Sequence, residues 1–262
     1  MKKLGCKESE RLHFILVHDV KPSSSNSHSH SAAASRKPVI MLQKPLRLVE
    51  KLVPQIKLVS SRNKPVHLLS HNARGYAVFM EINYRETPNS PFQKIRAQFI
   101  DVDLNKISAT CSTKEEAIRK IKSIKANPSE QIQSITVKRT KQGQYRLVVH
   151  RTRRKIAQLK KQFLNKHGNL VKHAMIVETS NGYHIYWALR DGAVSKFVPI
   201  QKALAQKFNS DPLITNLARV MRIPGFYHMK DPNTPFMVRV LQWGRKKPFT
   251  QEELIRTFRL EP

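Results

Sequence analysis

Apolar positions cluster into short strand-like runs, separated by segments with helical spacing. Tyr76-Ala-Val-Phe-Met-Glu-Ile-Asn-Tyr84 and Ile95-Arg-Ala-Gln-Phe-Ile-Asp-Val-Asp103 carry the aromatic and β-branched residues that suit buried strands. Residues 85–91 between them are polar with two prolines, which predicts a turn and an antiparallel second strand. Thr113-Lys-Glu-Glu116 is a capping box, and Ala117, Ile118, Ile121 and Ile124 continue a helical stripe that Pro128 ends. Strands are predicted at 134–137 and 145–150, around Gln142-Gly143. A basic helix follows over 153–166, with Ile156, Leu159 and Phe163 as its apolar stripe and Gly168 as its C-cap. Residues 174–178 and 183–189 read as a hairpin across Ser180-Asn181-Gly182, since Asn-Gly favours tight turns. A helix over 196–208, a strand over 236–241 and a last helix capped by Thr250-Gln-Glu-Glu253 complete an α+β order with mostly antiparallel strands.

The first 67 residues differ in texture. Phe14-Ile-Leu-Val17 is one short apolar run, and 21–37 is a Ser/His/Ala-rich stretch expected to be a flexible linker. Residues 39–60 are apolar and basic, broken by Pro45 and Pro54, and read as a partly helical lead-in. The expected organisation is a tail and linker over 1–37, a basic lead-in over 38–67, a catalytic core over 68–245 and a C-terminal helix over 246–262. No internal repeat is present.

Charge sharpens the picture. The 262 residues hold 48 Lys and Arg against 18 Asp and Glu, a formal net charge of +30, which implies a polyanionic partner, most naturally nucleic acid. Between Ala117 and Val177 the only acid is Glu130. Arg151, Arg153, Arg154, Lys155, Lys160 and Lys161 stud the helix in that stretch and read as a footprint for nucleic-acid backbone rather than a merely solvated face. Two distant cysteines, Cys6 and Cys111, indicate neither a disulfide framework nor a zinc site. The apolar piece at 13–17 is too short for a signal segment, and no run approaches a membrane span, so a cytoplasmic location is expected. His28-Ser-His30 has metal-like spacing, but its Ser-rich setting argues for a linker.

Three constellations carry candidate chemistry. Asp101 and Asp103 lie two residues apart on a strand, so both point to one face. Adjacent carboxylates repel unless a cation joins them, and Mg²⁺ or Mn²⁺ takes such oxygen pairs with phosphate completing its shell. In Thr179-Ser-Asn-Gly-Tyr-His-Ile-Tyr-Trp187, alternation sets His184 and Tyr186 opposite the core-like Ile185 and Trp187. His184 and Ser180 are then phosphate-oxygen donors, against the alternative of a structural histidine. The segment from Asp211 to Lys230 adds a third carboxylate, Arg219 and Arg222 three apart on an expected helical face, a Pro-Gly turn and Lys230. Asp231 competes with Asp211, but sits in Asp-Pro-Asn-Thr-Pro, a turn composition. Carboxylates for two metals with Arg and Lys for a triphosphate are the parts of nucleotidyl transfer.

Gly75-Tyr-Ala-Val-Phe-Met-Glu-Ile-Asn83, Phe99-Ile-Asp-Val-Asp103, Thr179 to Trp187, and Ala218-Arg-Val-Met-Arg-Ile-Pro-Gly225 with Lys230 together resemble the RepB-type plasmid and phage primases of the archaeo-eukaryotic primase (primase-polymerase) superfamily. The resemblance covers roughly residues 68–241. It implies an RRM-like antiparallel sheet fused to a second α/β unit, with the catalytic cleft between them. It makes Asp101, Asp103 and Asp211 catalytic metal ligands, and Ser180, His184, Arg222 and Lys230 nucleotide contacts. The three residues between Ser180 and His184 exceed the single one of the tight s-x-H form, and 104–172 is longer than the family spacing, so it reads as a basic helical insertion.

The expected activity is that of a DNA primase or primase-polymerase, a nucleotidyltransferase with a two-metal mechanism that uses Mg²⁺ or Mn²⁺. It would act in replication of a plasmid, phage or mobile element. Its partners would be a single-stranded DNA template, NTP or dNTP substrates and, where one is needed, a separate replicative helicase, with no membrane. The alternative is a non-catalytic origin or single-stranded DNA-binding replication protein on the same scaffold. A relaxase is disfavoured, because the one H-x-H, His28-Ser-His30, has serine where a bulky apolar residue belongs.

Overall fold

The computed structural model describes residues 4–5, 10–19, 40–45, 57–59, 65–87, 89–231 and 233–262. The expected linker at 21–37, with His28 and His30, lies outside them. The described elements begin with strands β1 (Arg11–His18), β2 (Ile40–Pro45), β3 (Lys57–Val59) and β4 (Pro65–His67). Helix α1 (Leu68–Ala73), β5 (Tyr76–Glu81), β6 (Ile95–Asp103), β7 (Lys106–Cys111) and α2 (Lys114–Lys125) follow. Then come β8 (Ile132–Arg139), β9 (Tyr145–Arg151), α3 (Arg153–Val171), β10 (Met175–Glu178), β11 (Gly182–Gly192) and α4 (Phe197–Lys207). Strands β12 (Val220–Arg222), β13 (Tyr227–His228), β14 (Phe236–Met237) and β15 (Arg239–Trp243) precede α5 (Gln251–Phe258). This is a mixed α/β fold in which the paired strands are mostly antiparallel.

The chain divides into two compact units. The larger comprises residues 1–101, 172–180 and 184–262, and holds most of two four-stranded sheets. One sheet has the order β12-β5-β1-β2; Phe14 pairs with Met80 and with Leu42, and Met221 pairs with Met80 from the other side. The other sheet has the order β15-β10-β11-β6. Along β11, Ile185 and Trp187 face an aromatic cluster in which the Trp187 ring lies 5.5 Å from Phe208 and 5.2 Å from Phe258. These rings bury α4 and α5 against the sheet, and truncating such a side chain typically costs about 3–5 kcal/mol. Gln201 of α4 reaches β6 with both ends of its amide: its Oε1 accepts from the Phe99 N–H and its Nε2 donates to the Phe99 carbonyl. The edge backbone of β6 is thereby satisfied just before Asp101.

The smaller unit comprises residues 102–171 and 181–183. Its three strands have the order β7-β9-β8, both pairings antiparallel, and α2 packs on β7 and β9. Thr113 caps α2 by accepting from the Glu116 N–H at 3.1 Å, and Glu116 returns the favour to Ser112. Leu147, Val149 and Cys111 are fully buried on one face of this sheet.

Several expectations are corrected. β5 does not pair with β6; a single bridge, Tyr84 with Lys94, links their ends before they enter different sheets, and β1 is the partner of β5. Long-range pairing with the Phe14 run makes the fold start well before Leu68. The expected helical lead-in instead contains strands β2 and β3. Helix α3 runs through Gly168 to Val171, so that glycine is not its C-cap. Arg219 and Arg222 do not share a helix; Arg222 ends strand β12 and Arg219 precedes it.

Candidate active site

Asp101 sits near the end of β6, held by the amide brace at Phe99. A tight path returns the chain to it after α4. The Ser210 N–H closes the helix onto Ala205 O, Asn209 adopts a left-handed φ of 48°, and the Asp211 N–H then donates to the Asp101 carbonyl at 3.2 Å. Asn and Asp tolerate that backbone region better than other side-chain-bearing residues. Asp211 opens a 3-10 turn, Pro212–Thr215, and the Asn216 side chain and carbonyl then accept from Ala218 and Arg219 N–H groups. This second turn brings Arg219 back, with its Nη2 3.3 Å from Asp211 Oδ2 and 3.6 Å from Asp101 Oδ2. Two carboxylates distant in sequence thus share one guanidinium, all three groups partly open to solvent.

His184 faces the same carboxylate, with Nε2 3.8 Å from Asp101 Oδ1. Contrary to a simple in-out alternation, both faces of β11 are buried here: His184 and Tyr186 are as enclosed as Ile185 and Trp187. Burial, then the charges of Arg222 and Arg219, push the His184 pKa down to about 3. The imidazole is therefore neutral. The Tyr186 hydroxyl lies 3.3 Å from Nδ1, and its pKa is raised well above the ordinary value by burial and by Asp101. It keeps its proton, and the tautomer in which Nδ1 accepts from that hydroxyl places the ring N–H at Nε2, on the Asp101 side.

Arg222 is held elsewhere. Its guanidinium forms two hydrogen bonds with Asp19, at 2.7 and 2.9 Å, and lies over the Phe79 ring. Asp19 also accepts from the Met229 N–H at 3.1 Å. His228 is buried beside this group, and neither ring nitrogen has a hydrogen-bond partner among the described residues. Burial and then Arg222, opposed by Asp19, leave its pKa at about 4. Lys230 is exposed on the loop after β13, and Ser180 is half-buried after β10. The Asp231 carboxylate accepts from Asn233 and Thr234 and so caps its own turn. Asp103 ends β6 and accepts from the Asn105 N–H at 2.9 Å, with Lys106 3.3 Å away.

The basic residues of the smaller unit divide. Arg153, Arg154 and Lys161 are exposed, while Arg151 is bound to Glu130 and to the Leu104 carbonyl. Lys155 and Lys160 are buried, with the Lys160 ammonium over the Tyr183 ring. Sequence reasoning gave no role to Asp19 or His228; it marked Arg219, but as one half of a helical pair of arginines facing a triphosphate rather than as the partner of Asp101 and Asp211.

Among the described residues, no three His, Cys, Asp or Glu side chains group into a metal site of their own. Asp101 and Asp211 nevertheless offer hard oxygen ligands converging on one positive charge, which suits a divalent cation whose remaining ligands are water and phosphate.

The profile of the RepB DNA-primase N-terminal domain matches residues 96–261. The chain belongs to that family. The match spans Asp101, Asp103, His184, Asp211, Arg219, Arg222 and Lys230, and leaves β1 with Asp19 upstream. A solved structure, the catalytic domain of primase Repb' in complex with initiator DNA, is 14% identical; the alignment covers 98% of this chain and 88% of that one at a TM-score of 0.45. No curated protein matches the chain. As a RepB-family DNA-primase domain, the chain is a replication primase of the nucleotidyltransferase type. Among its described residues, no helix is long and apolar enough to cross a membrane.

Proposed function

We propose that this RepB-family chain starts new strands on single-stranded DNA by metal-dependent nucleotidyl transfer. The convergence of Asp101 and Asp211 on Arg219, beside a neutral His184, is the observation that carries this reading. Asp101 and Asp211 would hold Mg²⁺ or Mn²⁺, and Asp103, two residues along the strand, is the further carboxylate that the family resemblance adds. The bound cation would activate the attacking hydroxyl and stabilise the departing pyrophosphate.

The protein groups do the rest. Until substrate arrives, Arg219 neutralises the two carboxylates; with a cation between them, its fork serves phosphate oxygens instead. His184 would present Nε2–H as a neutral donor to a phosphate oxygen, with Nδ1 accepting from the Tyr186 hydroxyl. Its burial makes that hydrogen bond stronger than one in water. Lys230 adds a further positive charge for the triphosphate. Arg222, locked to Asp19, shapes the site from behind rather than touching substrate. The substrates are NTPs or dNTPs, the setting is replication of a plasmid, phage or mobile element, and any strand separation comes from a separate helicase.

A template-dependent assay with labelled nucleotide tests this. Asp101→Asn should abolish product while single-stranded DNA binding persists. Product at the wild-type rate would end the proposal in favour of a non-catalytic DNA-binding role.

A further inference from the structure

The open face of the three-stranded sheet in the smaller unit has a composition that the one-dimensional sequence hides. The register fixes it. Across β9, Arg146 lies opposite Thr110 and Lys138, Val148 opposite Ser108 and Thr136, and His150 opposite Lys106 and Ser134. These nine residues share one face, because alternate strand residues point the same way. The buried Leu147 and Val149 point to the other face. Seven of the nine are exposed, with Val148 and His150 half-buried.

The face holds three cations, one histidine and four hydroxyls around a small apolar centre, and no carboxylate. At the edge, Asp103 pairs with Lys106 at 3.3 Å. His150 is tied to the Asn105 side chain at 3.2 Å. Arg146 and Lys138 are direct cross-strand neighbours of like charge. Such a pair destabilises a sheet unless an anion lies across it, and neither residue makes an ion pair among the described residues. The face carries no Phe, Tyr or Trp side chain.

We infer that this sheet face, rather than helix α3, is the docking surface for the single-stranded template, and that it grips the sugar-phosphate backbone without reading sequence. The inference rests on the priming reading, which requires such a template. Lysine and arginine neutralise phosphates, the serine and threonine hydroxyls donate to phosphate or sugar oxygens, and contacts confined to the backbone suit a template of any sequence. Helix α3 is a weaker candidate, because two of its lysines, Lys155 and Lys160, are buried.

The test uses the full chain and a fluorescent single-stranded oligodeoxynucleotide of mixed sequence, with anisotropy followed across a salt series. The Lys138→Ala/Arg146→Ala variant should bind on the order of tenfold more weakly, with a plot of log K against log salt shallower by about 1.4, the value for two lost phosphate contacts on a single strand. Arg153→Ala/Lys161→Ala should cost less. Unchanged affinity and slope in the first variant, a larger loss in the second, or preferential binding of duplex by the wild type would each overturn the inference and leave priming standing. Failure of the wild type to bind any single strand would remove the priming reading as well.

Discussion

Arg222 and Asp19, 203 residues apart, form a two-pronged ion pair at 2.7 and 2.9 Å with little exposure to solvent. Asp19 lies just past β1 and Arg222 ends β12, the edge strand on the far side of β5. The pair therefore ties the two ends of one sheet's connectivity together behind His184. Asp19→Ala would strand the Arg222 charge and leave the Met229 N–H without its acceptor, and should cost about 3–5 kcal/mol in urea unfolding. Replacing both partners by leucine should recover much of that loss. A change in Asp19→Ala as small as that of an exposed pair, about 1 kcal/mol or less, would contradict the buried geometry.

Arg219 is the positive charge that Asp101 and Asp211 share. Removing it leaves two carboxylates facing each other, and repulsion between them favours a cation. Arg219→Ala should therefore bind Mn²⁺ several-fold more tightly than the wild type without nucleotide, as read by calorimetry, yet make less primer. Weaker Mn²⁺ binding in the variant would show that the two aspartates do not form one cation site.

Gly182 was expected to end the turn between two strands, and it is the first residue of β11. A Cβ there would stand 1.7 Å from the Val102 carbonyl oxygen, a contact only backbone movement could relieve. Gly182→Ala should destabilise the protein by on the order of 4 kcal/mol or prevent its folding. A circular-dichroism melt coinciding with the wild type would refute the close approach.

Glu81 shows how acid should act on the sheet of β1 and β5. Burial raises its pKa, but hydrogen bonds from His13 at 2.8 Å and Arg85 at 2.7 and 3.0 Å, with their charges, carry it below the ordinary value. A carboxylate depressed in the folded state contributes stability above its unfolded pKa, about 4.3, and loses it as pH falls through the folded value. The stability advantage of the wild type over Glu81→Gln should thus be full near neutrality and shrink on acidification below that pH. An advantage that grows on acidification would reverse the sign and the argument.

The strand that carries Asp101 was legible. β6 was read to its observed ends, because Phe99, Ile100 and Val102 mark a buried strand whatever it pairs with. Asp211 was preferred over Asp231 on turn composition, and Asp231 indeed spends its carboxylate on its own turn. What failed was partnership across long separations. β12 is only three residues long, too short for a period to show, and two arginines three apart look alike on a helix or beside a strand. β1 was visible as an apolar run, but nothing local states that its neighbour is β5 rather than a turn. Lys155 and Lys160 were counted as solvent-facing charges, although lysine stems can lie against apolar surface.

The position of β1 inside its sheet has a consequence for how the protein is made. Phe14 waits for Met80, and Met80 in turn waits for Met221, so this layer cannot knit together while the chain is still emerging. Each pairing closes a long loop before any contact rewards it, which slows assembly and leaves strand edges bare in the meantime. An expression design that starts at residue 68 would delete the middle of that layer and yield sticky, half-built material rather than a smaller enzyme.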